Sequence, residues 1–141
     1  MRRIFLTCFL ISTTTAFAQR HTYSKAPDAV RIAFSRQFPG IDDPRWEIEG
    51  DKYEAHFRHD GQVVSALYEK DGTWKETERK ISVKSLPPDA KLYIEKNYSG
   101  RNARTASVIK LPSDETNYVA HINYADVIFD KNGKYLKTEK E

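Results

Sequence analysis

One passage of this chain occurs twice. Leu67-Tyr68-Glu69-Lys70-Asp71-Gly72-Thr73-Trp74-Lys75-Glu76-Thr77-Glu78 returns 61 residues later as Ile128-Phe129-Asp130-Lys131-Asn132-Gly133-Lys134-Tyr135-Leu136-Lys137-Thr138-Glu139. Two apolar positions, an acid, Lys, Asp/Asn-Gly, an aromatic and Thr-Glu recur in register. Self-similarity at so long a period means one supersecondary unit used twice. A single unit of about 60 residues buries too little surface to be comfortably stable alone. The two units are therefore expected to bury surface against each other.

The correspondence extends upstream. Ala26-Pro27-Asp28-Ala29-Val30 through Phe38-Pro39-Gly40 aligns without gaps to Leu86-Pro87-Pro88-Asp89-Ala90 through Tyr98-Ser99-Gly100, at an offset of 60. Val30, Ala33, Phe34 and Phe38 share one helical face, as do Ala90, Tyr93, Ile94 and Tyr98. Proline opens and glycine closes each segment, the asymmetry of helix ends. Each unit thus begins with a short amphipathic helix. Strands follow it. Tyr53, Ala55 and Phe57 alternate with Lys52, Glu54, His56 and Arg58, and the Tyr-x-Ala-His-apolar pattern returns at Tyr118 to Ile122. Strict alternation gives a sheet with one buried and one wet face. Asp60-Gly61, Asp71-Gly72 and Asn132-Gly133 supply the positive φ of tight turns. The fold class read from these patterns is α+β, a tandem repeat of one helix plus about four antiparallel strands. Ile81 and Val83 extend the fourth strand toward the second unit, leaving a short connection at Ser85-Leu86.

The units differ at loops. Between Phe57 and Leu67 the first carries four residues more than the second does between Ile122 and Ile128. The second has five extra residues around Leu111 to Thr116. Loops on a rigid scaffold carry function, so these are the places where the halves are expected to diverge in use.

Met1-Arg2-Arg3, an apolar run from Ile4 to Ile11, and Ala16-Phe17-Ala18 form a secretory signal peptide with cleavage before Gln19. The run is too short to span a bilayer, which takes about 20 apolar residues. Cys8, the only cysteine, lies inside that run rather than at its end, so a lipid anchor is not expected and the mature chain has no thiol. Disulfides, CxxC redox chemistry and cysteine metal sites are thereby excluded. Loss of Arg2 and Arg3 lowers the formal net charge from +3 to +1, with basic and acidic residues interleaved. Neither a nucleic-acid footprint nor a membrane-binding basic patch is present. The expected organisation is a signal peptide over 1–18, an N-terminal segment over 19–25, and repeats over 26–85 and 86–141 forming one compact unit. Its expected location is the periplasm or the extracellular medium.

The Pro-started helices, Trp46 on the next strand, Tyr-x-Ala-x-Phe at Tyr53 to Phe57, Ser65-Ala66-Leu67-Tyr68, and (Asp/Asn)-Gly-x-aromatic-x-x-Thr-Glu come in a characteristic order. Together they resemble the PepSY-like, beta-lactamase-inhibitor-like proteins exported by Bacteroidetes-type bacteria. The resemblance covers residues 26–141. It implies a tandem helix-plus-four-strand fold of beta-lactamase-inhibitor-like architecture, a periplasmic address and no established biochemical activity. It concerns the fold, and no inhibitory residues are carried over.

His56 and His121 hold equivalent wet-face positions and could point from one sheet surface toward a zinc or copper ion. The alternative is two exposed strand residues inherited by duplication. Metal sites need three or four ligands, and the spacing supplies no third, so no metal ligand set and no cofactor are assigned. No G-x-S-x-G elbow, H-E-x-x-H helix or Walker loop is present, and an enzyme is not expected. The two Trp, eight Tyr and seven Phe fall largely at strand positions. Trp46, Tyr53 and Phe57 are assigned to the core, whereas Trp74 and Tyr135 follow tight turns and are either sheet-closing residues or interface anchors. The function expected is a non-enzymatic exported module that binds an unidentified protein or peptide, without nucleic acid or membrane insertion. Its site is read as the wet sheet face and hairpin tips: Glu54, His56, Arg58, His59, Asp60, Trp74, His121, Asn123 and Tyr135. The alternative is a small-ligand or metal-binding protein using His56 and His121.

Overall fold

The structure is a computed structural model that describes residues 26–140. The signal peptide, its cleavage site, Cys8 and the segment over 19–25 lie outside the described residues. Helix α1 (Asp28–Gln37) leads into strands β1 (Arg45–Glu49), β2 (Lys52–His59), β3 (Gln62–Tyr68) and β4 (Trp74–Ile81). A 3-10 turn at Val83–Ser85 follows, then α2 (Pro88–Asn97), β5 (Thr105–Lys110), β6 (Thr116–Ile122), β7 (Ala125–Phe129) and β8 (Tyr135–Lys140). The eight strands pair in chain order as one sheet, antiparallel throughout. The class is α+β.

The helices form where the apolar stripes fall. Pro27 and Pro87 stand at the N-caps, where a missing N–H costs nothing. Val30 and Phe34 of α1 and Ala90 and Ile94 of α2 are buried against the sheet. Phe34 meets Phe57 edge-on at 5.1 Å and Trp46 at 5.5 Å. Under α2, Tyr93 packs edge-on against Phe129 at 5.6 Å and stacks on Tyr135 at 4.7 Å. Offset and edge contacts at these spacings add to the area that the rings bury.

Each helix covers a cluster of its own: α1 covers one built from residues 26–74, and α2 covers another built from residues 81–135. A meander keeps each set of four strands under its own helix, so the halves join through the β4–β5 ladder, from Thr77↔Lys110 to Ile81↔Ala106. Ile81 and Val83 cross the boundary and pack against the second cluster. The fourth strand stops at Ile81 rather than running through Val83. There the Ser82 hydroxyl accepts the Lys84 N–H and turns the chain.

Two details of the halves match. The sheet register shifts at Leu67/Tyr68 and again at Ile128/Phe129. The turns after these bulges carry Gly72 at φ +90° and Gly133 at φ +91°. A Cβ on Gly72 would lie 2.6 Å from the Ala29 carbonyl oxygen, and one on Gly133 would lie 2.7 Å from the Ala90 nitrogen. Each glycine thus lets a sheet turn press against the start of a helix. At the β2–β3 hairpin the ladder extends past Phe57↔Val64 through Arg58↔Val63 and His59↔Gln62. The corresponding β6–β7 hairpin ends at Ile122↔Ala125. The four extra residues lengthen one arm, as the loop comparison anticipates.

Candidate functional site

Alternation along the strands turns Ala55, Phe57, Ala106, Ala120 and Phe129 toward the helices. Their neighbours in sequence face the other way, onto a side that neither described helix covers. That side is not flat. Val119 and Ile128 are buried there and Ser107 has no exposed surface at all, although neither described helix is layered over them. The twisted sheet curls over this face, and the result is a cleft of about 430 Å³. Its floor is Ile109, Val119 and Ile128; its walls carry Glu49, Glu54, Glu76, Glu78, Asp126 and Glu139 against the single lysine Lys137.

Six carboxylates facing one lysine is an uneven arrangement in a chain of formal net charge +3. Its strain shows in protonation. Burial raises the pKa of Glu76, and Glu78, Glu49, Glu54 and Glu139 raise it further. Burial likewise raises Glu49, helped by Glu54. For Glu54 burial pushes upward, but His56 and Ser65 outweigh it, and its pKa falls below the usual range.

The two histidines both reach this face, in separate surroundings. Glu54 Oε2 lies 3.2 Å from His56 Nε2, and Glu47 Oε2 lies 3.3 Å from it. Glu54 is the largest influence raising the imidazole pKa, while burial opposes it. Nε2 itself is buried, and neither oxygen meets it with hydrogen-bond alignment. His121 Nδ1 lies 2.6 Å from Asp126 Oδ1, with its Nε2 3.3 Å from Ser107 Oγ and 3.9 Å from Glu78 Oε1. Asp126, His121 and Ser107 therefore stand in the order of a hydrolytic triad. Ser107 is completely buried on a strand paired on both sides, out of reach of a substrate, and its neighbouring amides belong to the ladders. The trio works as a buried polar contact that fixes His121.

The other expected site residues divide. Arg58 lies on the His56 side of β2, where its guanidinium donates to the Gly61 carbonyl at 3.0 Å. Asn123 sits in the β6–β7 turn at φ +59°. His59 and Asp60 occupy the tip of the long hairpin; the His59 ring leans on Phe38 at 5.9 Å, toward the helix side. Trp74 and Tyr135 do not belong with the cleft. Trp74 packs into the first core cluster and donates from Nε1 to Thr77 Oγ1 at 3.0 Å, and Tyr135 stacks on Tyr93. One extra residue in each following strand, Lys75 in β4 and Leu136 in β8, turns these rings toward the helices, where they pack against the core clusters. Sequence reasoning left out Glu47, Glu49, Glu76, Glu78, Asp126 and Glu139. The signal available for them was alternation: acids at every second position of β1 and β4 share one face with His56.

Among the described residues, two helices on one side of a curled eight-stranded antiparallel sheet, with an acidic concave face on the other, define a small sheet scaffold. The chain belongs to the family described as "Putative beta-lactamase-inhibitor-like, PepSY-like", whose sequence profile matches residues 51–137. Solved structures share the fold. A "BLIP-like protein" from Bacteroides fragilis is 22% identical, with a TM-score of 0.69 over 84% of this chain and 89% of that one. A protein from Bacteroides eggerthii described as among "putative periplasmic proteins" is 16% identical, with a TM-score of 0.73 over 83% and 90%. A "DUF2874 family protein" from Bacteroides ovatus is 18% identical, with a TM-score of 0.72 over 83% and 89%. No curated protein matches the sequence. None of the described helices is long and apolar enough to cross a membrane.

Proposed function

We propose that the chain is a non-enzymatic exported binding protein, built from two copies of a helix-plus-four-strand unit, that holds a cationic protein or peptide segment in its concave face. The observation that carries this reading is the cleft's charge: six carboxylates and one lysine around an apolar floor. A lysine or arginine side chain fits such a surface twice over. Its aliphatic stem covers Ile109, Val119 and Ile128 while its charged head meets the carboxylate rim. The raised pKa values of Glu76 and Glu49, due first to burial and then to neighbouring carboxylates, support the same reading, because a bound cation offsets the second of these causes. The longer β2–β3 hairpin, with Arg58, His59 and Asp60, lengthens β2 beyond the cleft-lining Glu54. The periplasmic location follows from the signal-like N-terminus and agrees with the description of the Bacteroides eggerthii protein. The lack of a reachable nucleophile beside His121 supports a binding rather than a catalytic role.

Nuclear magnetic resonance titration of labelled protein with a lysine- and arginine-rich peptide tests the proposal. Shifts should concentrate at Ser107, Val119, His121 and Ile128, and be suppressed at high salt, where exposed charge interactions are screened. Shifts confined to the outer helix surfaces, around Ile32 and Leu92, would count against it.

A further inference from the structure

We propose that Glu47, Glu54 and His56 form a binding site for a divalent transition-metal ion of the zinc type, at the end of the cleft that Glu54 also lines. Glu47 and Glu54 are direct cross-strand partners in the β1–β2 ladder, and His56 follows two residues later on the same face. One ligand atom from each of the three lies within 4.8 Å of the other two. His56 Nε2 stands 3.3 Å from Glu47 Oε2 and 3.2 Å from Glu54 Oε2.

Those two separations fit a metal better than they fit hydrogen bonds. In a tetrahedral zinc site with Zn–N of about 2.0–2.1 Å and Zn–O of about 2.0–2.2 Å, adjacent ligand atoms sit about 3.3–3.5 Å apart. The present spacing falls within a tenth or so of an ångström of that edge. As hydrogen bonds the same contacts are long and poorly aligned, although the Glu54 carboxylate still raises the imidazole pKa. A buried imidazole nitrogen facing two carboxylate oxygens at ligand-edge distance, with no aligned hydrogen bond to either, is a donor set suited to a cation. The second carboxylate oxygen of Glu47 forms an ion pair with Arg45 Nη2 at 2.9 Å, leaving Oε2 turned toward His56. Outer contacts of this kind orient metal ligands.

The donor chemistry narrows the ion. Calcium and magnesium prefer all-oxygen shells of six or more ligands, so an imidazole among only three protein groups argues against them. One nitrogen and two carboxylates suit zinc and its neighbours, with a fourth position left for water. His121 is not in the set, since its Nδ1 is committed to Asp126. The third and second ligands that sequence spacing could not supply thus come from the adjacent strand and from the same strand two residues back.

Untagged protein is stripped of metal, then titrated with zinc chloride alone by calorimetry in a buffer that does not bind zinc. Cobalt(II) absorption provides an independent reading of the ligand geometry. The expected result is saturable binding of one ion per chain, with a melting temperature that climbs with zinc concentration. A tetrahedral cobalt spectrum is expected as well. His56→Gln and Glu54→Gln should each weaken binding by about tenfold or more, whereas His121→Gln should leave it unchanged. Circular dichroism of each variant reports whether it is folded, and the cobalt spectrum of the parent protein reads the site without any substitution. No saturable binding, or binding that survives His56→Gln in folded protein, would overturn the proposal. Because no peptide is present, that result would leave the cationic-segment reading standing.

Discussion

Replacing Gly72 or Gly133 with alanine should destabilise the protein well beyond the ordinary cost of a left-handed residue. Both glycines have positive φ, at which a Cβ costs about 1–2 kcal/mol in L-residues, offset by about 0.4–1 kcal/mol because alanine restricts the unfolded chain. Gly61 isolates this term, since its φ is +76° and a Cβ there meets nothing within 4 Å. Gly61→Ala should therefore lose about 1 kcal/mol or less. At Gly72 the new methyl carbon would sit 2.6 Å from the Ala29 carbonyl oxygen and 3.0 Å from its carbon. At Gly133 it would sit 2.7 Å from the Ala90 nitrogen and 2.9 Å from Pro87 Cβ. These obstacles are backbone and a proline ring, which cannot rotate away, so the helix or the turn must shift. Overpacking of this kind adds roughly 1–3 kcal/mol. The expected totals are about 2–4 kcal/mol for Gly72→Ala and for Gly133→Ala. Urea unfolding of the three variants measures the differences directly, provided the transitions share one slope. Equal losses at all three positions would refute the claim that these turns press on the helix starts.

Phe34→Ala and Ile94→Ala should each cost roughly 2–5 kcal/mol in the same assay, as large-to-small changes at buried positions. Trp74→Ala should lower stability by roughly 2 kcal/mol, less than for a fully buried ring, and leave peptide affinity unchanged because the ring lies on the helix side. Glu76→Gln should raise the melting temperature at neutral pH while weakening peptide binding. The folded-state pKa of Glu76 is above its usual 4.5, so its carboxylate opposes folding at neutral pH and this penalty vanishes as pH falls below that unfolded value. The stabilisation by Glu76→Gln should disappear over the same range, and a gain that persists in acid would contradict this assignment.

Helices and turns were legible because their signals are local. Proline at each start, apolar residues three and four apart, and Asp-Gly or Asn-Gly pairs all act within a few residues of themselves. The aromatic ambiguity at Trp74 and Tyr135 was not legible, because a bulge of one residue decides the face and no composition marks it. The split between two core clusters depends on which strands each helix covers, which is a matter of sheet order. His56 and His121 were visible as equivalents, but their partners were not. Glu47 reaches His56 across a ladder, and Asp126 reaches His121 across a hairpin. Cleft acidity was hidden in the same way. Glu49, Glu76 and Glu139 are far apart in the chain and interleaved with lysines and arginines, so no local run of acids marks them. Only the curl of the sheet gathers them.

The central claim is that this gathered charge binds a cationic segment, and fluorescence anisotropy with a labelled lysine- and arginine-rich peptide tests it most directly. The protein, the variant carrying Glu78→Gln with Asp126→Asn, and a control with Asp28→Asn on the outer helix are titrated at low and physiological salt. The account predicts saturable binding that weakens as salt rises, a loss of about tenfold or more in the double variant, and none in the control. Charge pairs at an interface are worth enough for such a loss. Undiminished binding by the folded double variant, or a preference for an acidic peptide of the same length, would contradict it.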